Sequence, residues 1–129
     1  MRFLLDTNVL IVLARRELHK LDARIVTAVL SAENLSFASA ASLWEIAIKT
    51  RLGKLDPGLA LDDLPDYFEA IGLNSLVINH RHAVKSLDPE PPIRDPFDRV
   101  LLAQCAVEEL RLVTIDRALS VHPLSWQPA

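Results

Sequence analysis

The sequence predicts an α/β domain, a central parallel sheet with helices on both faces. Short apolar runs, Phe3-Leu4-Leu5 and Leu112-Val113-Thr114-Ile115, are too brief for helices and too apolar for a half-exposed strand, so they read as strands covered on both sides. Between such runs lie longer stretches with apolar residues at helical spacing, and that alternation is the pattern of βα units. A length of 129 residues suits one domain, spanning 1–129, and not two. The chain shows no internal repeat, low-complexity tract or linker.

The elements follow in order. The first strand stops at Asp6-Thr7-Asn8, after which Val9 to Leu13 and Leu18 to Leu30 carry helical spacing, with Leu21, Ile25, Ala28 and Val29 on one stripe. Leu35-Ser36-Phe37 is a second strand. Ser39 to Leu52 is a helix that Gly53 ends, glycine being the residue that best tolerates a left-handed stop. The turn Asp56-Pro57-Gly58 leads to a helix from Asp62 to Ile71, a strand from Ser75 to Ile78 and a short helix beginning at His80. Asp88-Pro89-Glu90-Pro91-Pro92 holds three of the eight prolines, a loop ahead of the long helix Pro96 to Leu110. The β-branched run that follows is again a strand, and it runs into Asp116.

Composition excludes several chemistries. The three glycines, Gly53, Gly58 and Gly72, lie too far apart for a Walker A loop or a G-x-G-x-x-G turn. Cys105 is the single cysteine, so there is no internal disulfide framework and no cysteine-rich zinc site, which suits a reducing, cytoplasmic setting. No stretch supplies the roughly 20 apolar residues of a membrane span. Fourteen Lys and Arg against seventeen Asp and Glu give a net charge of -3, with no general basic character. Bound cations would reverse that sign: two Mg²⁺ would carry the balance to about +1.

Four acids stand where a core-and-surface pattern does not account for them. Asp6 and Asp116 lie at the carboxyl ends of apolar strands, the edge of a parallel sheet where ligands bind. Glu45 interrupts the apolar run Leu43-Trp44-Glu45-Ile46-Ala47-Ile48, and Asp98 opens an otherwise buried helix. Each also has an ordinary structural role open to it. Asp6 can cap the helix that starts at Thr7. Glu45 can close a capping box with Ser42 or pair with Lys49 one turn on. Asp95 ahead of Pro96 has the form of an N-cap with a first-turn proline, which leaves Asp98 at the third helical position. Asp116 can be a turn residue.

If the four converged, their repulsion would call for divalent cations. A carboxylate pocket with no Cys or His suits hard ions such as Mg²⁺ or Mn²⁺, and two such ions about 4 Å apart are a recognised nuclease arrangement. His80 and His82 can be imagined as a ligand pair, but Asn79-His80-Arg81-His82 reads better as a polar surface turn. His19 and His122 are isolated, there is no G-x-S-x-G elbow, and Cys105 sits in an apolar helix as an inert thiol.

Four blocks in this order, Phe3-Leu4-Leu5-Asp6-Thr7-Asn8-Val9-Leu10, Ser42-Leu43-Trp44-Glu45-Ile46-Ala47-Ile48-Lys49, Arg94-Asp95-Pro96-Phe97-Asp98-Arg99 with Leu102-Ala103-Gln104, and Val113-Thr114-Ile115-Asp116, resemble a PIN domain over nearly the whole chain. More narrowly, the chain resembles a VapC-type toxin of a type II toxin-antitoxin pair. The resemblance implies a small α/β fold and a hydrolase, an endoribonuclease that cleaves RNA phosphodiester bonds with metal-activated water. It also implies that Asp6, Glu45, Asp98 and Asp116 are the catalytic, metal-binding quartet for one or two Mg²⁺ or Mn²⁺ ions. Thr7, Asn8 and Thr114 then match the polar residues that orient ligands, and Asp95 is a further acid, supporting the metal or only capping. Lys49, Arg94 and Arg99 are candidates for phosphate contacts. Homodimerisation is implied, as is inhibition by a cognate antitoxin lying over the groove.

Two departures are visible. Relatives often carry His where this chain has Ile93, and an aromatic residue is common after Asp116, where this chain reads Leu119-Ser120-Val121-His122-Pro123. Neither touches the quartet, so an active enzyme is expected. The rival readings are a metal-dependent phosphohydrolase of the haloacid dehalogenase type, which needs a second Asp where Asn8 stands, and a catalytically silent interaction module.

Overall fold

In the computed structural model, which describes residues 1–92 and 94–128, the first apolar run forms β1 (Arg2–Leu5) and passes directly into α1 (Thr7–Ala14). There follow α2 (Ala23–Leu30), β2 (Leu35–Ser39), α3 (Ala40–Arg51), α4 (Leu64–Ala70), β3 (Asn74–Leu76) and α5 (His80–Val84). The chain then runs through α6 (Pro96–Glu108), β4 (Arg111–Val113), α7 (Arg117–Ser120) and β5 (Ser125–Trp126). The five strands form one sheet in the order β3-β2-β1-β4-β5, and every pairing is parallel.

β1 is central because its side chains are apolar in both directions. Phe3 and Leu5 join a core built with α1, α2 and α4, including Leu10, Ile25 and Phe68. Leu4 points to the other face, where Leu101 and Leu102 of α6, Leu112 of β4 and Leu119 of α7 meet it. Each strand residue thus alternates between two cores, as strand geometry requires, and each face carries its own helices. Leu4 lies opposite Phe37 on β2 and Leu112 on β4.

The chain lays down β2 and β3 on one side of β1, then crosses back to place β4 and β5 on the other side. The order reverses between β1 and β4. In open parallel sheets a crevice forms at that point, past the carboxyl ends of the strands. Asp6 and Asp116 follow the two strands that border it.

Several sequence expectations shift. The helix expected from Leu18 to Leu30 is divided: a single 3-10 turn covers Leu18–Lys20, and Asp22 then caps α2 by accepting the Arg24 N–H at 2.8 Å. The helix expected from Asp62 starts as a 3-10 turn at Leu61–Asp63, and α4 begins at Leu64. α6 ends at Glu108, before Leu110, because Glu109 turns left-handed with φ 58°. The strand expected over Leu112 to Ile115 sits at Arg111–Val113, since Thr114 leaves the sheet to serve the site described below. No helix among the described residues is long and apolar enough to cross a membrane.

Candidate metal centre

Asp6 sits at the junction of β1 and α1, and its backbone extends the sheet by donating to the Val113 carbonyl at 2.9 Å. Its carboxylate has both a structural and an electrostatic role. Oδ1 accepts the Thr7 N–H at 2.8 Å, and Oδ2 accepts the Thr114 hydroxyl at 2.7 Å. Burial raises its pKa, an effect those two hydrogen bonds oppose, while Glu45 and Asp116 add to the rise. The cap at Thr7 leaves Asp6 free lone pairs, because a carboxylate oxygen that accepts one hydrogen bond keeps a second.

Asp116 repeats this design on the neighbouring strand. Its Oδ1 caps α7 by accepting the Ala118 and Leu119 N–H groups at 2.8 and 3.3 Å. The Thr114 hydroxyl that donates to Asp6 also accepts the Asp116 N–H at 3.0 Å, so one threonine ties the two acids together across the switch point. Thr7 reaches the other way, donating to the Ser42 hydroxyl on α3 at 3.0 Å. Asn8 is exposed beside them.

Glu45 is reached through α3. The capping box expected between Ser42 and Glu45 does not form, because Ser39, at the end of β2, is the cap of α3 and accepts the Ala41 N–H. Glu45 lies one turn further in, 5% exposed. Its Oε2 receives the Lys49 ammonium at 2.6 Å, while its Oε1 is buried with no hydrogen-bond partner. An unpartnered carboxylate oxygen away from water is costly, and a cation is the partner that removes the cost.

Asp98 lies in the first turn of α6, held there by Asp95, whose Oδ1 caps the helix through the N–H groups of Phe97 at 2.8 Å and Asp98 at 3.3 Å. The Asp98 carboxyl is pushed up to about 7, first by burial and then by the charges of Asp6, Asp95, Glu45 and Asp116. The charges of the other sequence-predicted acids therefore all reach Asp98, and those of Glu45 and Asp116 reach Asp6. Among the described residues, no three His, Cys, Asp or Glu side chains close into a ready-made metal cage. What the structure provides is an all-oxygen set of mutually repelling acids with one orphaned oxygen, and this donor chemistry fits a hard divalent cation.

The basic candidates differ. Lys49 is held by Glu45, which raises its pKa by hydrogen bonding. Arg99 bonds Glu90 at 3.0 Å and the Lys85 carbonyl at 3.1 Å. Arg94 is exposed, with no hydrogen bond or ion pair among the described residues. Ile93, where relatives often carry His, lies outside the described residues.

Among the histidines, the surface-turn expectation holds for His80 and fails for His82. His82 is 1% exposed; its Nδ1 accepts the Asn79 N–H, and its Nε2 faces the Glu108 carboxylate at 2.8 Å. Nδ1 closes the capping box at the start of α5 and Nε2 joins α5 to α6, so both ring nitrogens are committed and the pair is not a metal ligand set. Cys105 is buried, and desolvation raises its thiol pKa far above the ordinary value.

A parallel sheet of this order, with acids crowded where the order reverses, defines the class: an acidic-site α/β domain of nuclease type. The family model of the PIN domain matches residues 3–123, and the chain belongs to that family. PIN domains are generally metal-dependent ribonucleases; they typically use divalent cations and often pair with antitoxins. No curated relative matches the chain.

Proposed function

We propose that this protein is the toxin of a type II toxin-antitoxin pair, a Mg²⁺- or Mn²⁺-dependent endoribonuclease whose acids Asp6, Glu45, Asp98 and Asp116 hold the cation. The observation that carries the reading is the buried, unpartnered Oε1 of Glu45, together with an Asp98 carboxyl that burial first and then the neighbouring acids push up to about 7. A divalent cation bound there supplies Lewis-acid stabilisation of phosphate charge and a water acidic enough to attack near neutral pH.

The chain's own groups prepare that site. Thr114 and the Thr7 N–H fix both oxygens of Asp6, so its remaining lone pairs point in set directions. Asp95 fixes the turn that carries Asp98, and Lys49 holds Oε2 of Glu45 so that Oε1 stays turned inward. Lys49 and the exposed Arg94 are the cations placed to meet RNA phosphates. No side chain has to act as a covalent nucleophile. The cellular setting that goes with this reading is a cytoplasmic homodimer restrained by its antitoxin.

The test is direct. The purified chain is incubated with structured RNA and, separately, with a phosphomonoester, each with Mg²⁺ or EDTA. Internal cleavage of RNA that EDTA abolishes, with the monoester untouched, is the expected result. Monoester hydrolysis alone assigns a phosphohydrolase, and no hydrolysis of either assigns a silent interaction module.

A further inference from the structure

Two aromatic rings stand beside the acids and belong to neither core. Trp44 immediately precedes Glu45 on α3, and Phe97 immediately precedes Asp98 on α6. The rings meet edge to face, with centroids 5.7 Å apart and planes at 80°. Trp44 is 60% exposed, its indole N–H makes no hydrogen bond among the described residues, and neither ring joins the two apolar clusters that hold the fold. Successive residues on a helix are about 100° apart, so one step back from each acid leads to the adjoining face. The two helices therefore form an acid pair and an aromatic pair side by side.

Taking the nuclease reading as its basis, we infer that the exposed Trp44 ring, steadied by its edge-to-face contact with Phe97, is a shelf on which an unpaired base of the RNA strand stacks, next to the phosphate that a cation at the acids would hold. An exposed aromatic ring and basic side chains are the two parts of a single-strand binding site, in which bases stack and phosphates meet positive charge. Lys49 lies five residues after Trp44, and Arg94 lies three before Phe97. Specific recognition of RNA targets unpaired bases that can be splayed onto aromatic side chains. Stacking of this kind corresponds to roughly 5- to 150-fold in affinity per base.

The experiment uses the whole chain with Ca²⁺ in place of Mg²⁺, so that a hard cation fills the acid site, and the RNA is confirmed to stay intact by gel electrophoresis. A single-stranded RNA oligonucleotide is titrated against wild type, Trp44→Ala and Trp44→Phe, following tryptophan fluorescence and RNA anisotropy; an abasic oligonucleotide of equal length serves as comparison. Expected are quenching in wild type that saturates with the anisotropy signal, a roughly tenfold loss of RNA affinity in Trp44→Ala, and near-full affinity without that quenching in Trp44→Phe. The abasic strand should bind wild type and Trp44→Ala alike. Equal losses for base-bearing and abasic strands, or binding without quenching, overturn the shelf. So does a Trp44→Ala variant that changes only the oligomeric state, since the ring would then belong to an interface between copies. Cleavage is measured separately with Mg²⁺: its absence overturns the nuclease reading whatever Trp44 does, and its presence without the Trp44 effects overturns the shelf alone.

Discussion

Asp98 makes the site sensitive to pH. Its ordinary value is 3.8, and in the folded chain it stands at about 7. Between those values the folded chain keeps a proton that the unfolded chain has lost, so Asp98 takes stability away as pH rises through that interval. A cation competes with the same proton. Divalent affinity should therefore rise steeply from pH 5.5 to pH 7.5 and then level off, which calorimetric titration at several pH values will read; a flat profile contradicts the assignment. Thr114 gives a second prediction. Thr114→Val keeps the shape but removes the donor to Asp6 Oδ2 and the acceptor for the Asp116 N–H. Metal affinity should fall by roughly 10- to 100-fold, the usual effect of losing a group that orients a ligand. Affinity equal to wild type would show that the threonine serves only the fold.

Among the elements, α6 is the one that joins the site to the sheet edge. Gln104, fully buried, accepts the Ser39 hydroxyl at 2.6 Å and donates to the Val77 carbonyl at 3.2 Å, linking the start of α3 to the segment after β3. Gln104→Ala removes the acceptor of the Ser39 O–H and the side-chain donor to the Val77 carbonyl, and should cost about 1–3 kcal/mol. Urea unfolding checks this, and an unchanged midpoint would mean that the network is dispensable. The same elements show what the sequence makes legible. Strand β1, helix α3 and helix α6 are readable because their apolar periodicity is long or unbroken, and Asp95-Pro96 marks a helix start in two residues. The start of α3 at Ser39 is legible, but the sequence cannot choose between the two roles open to Glu45, a capping box with Ser42 or a pair with Lys49, because Ser39 and Ser42 are chemically alike; the structure forms the Lys49 pair. β5, two residues long, carries no period to detect. His82 is invisible as a buried residue because its partner Glu108 lies 26 positions away.

For the molecule as a whole, the net charge of -3 takes on a local meaning: part of it is gathered at the one place where the strand order reverses. The acids were legible as a set in the sequence because Asp6 and Asp116 follow apolar strands, Glu45 interrupts an apolar helical run and Asp98 opens one, but the link that Thr114 makes from Asp6 to Asp116 comes only from the pairing of β1 with β4. A ligand that relieves the repulsion binds the folded chain alone and must stabilise it. At a cation concentration about 100-fold above Kd, the gain is about 2.7 kcal/mol, which for a domain of this size raises Tm on the order of 10 °C. Thermal unfolding with Mg²⁺ and with EDTA measures it, and coincident curves would count against a cation site. The most direct test of the central claim is Mn²⁺ binding, followed by paramagnetic resonance, in wild type, Glu45→Gln and Asp98→Asn. The account predicts that each variant stays folded and binds at least tenfold more weakly than wild type. A folded Glu45→Gln that holds Mn²⁺ as tightly as wild type would contradict it.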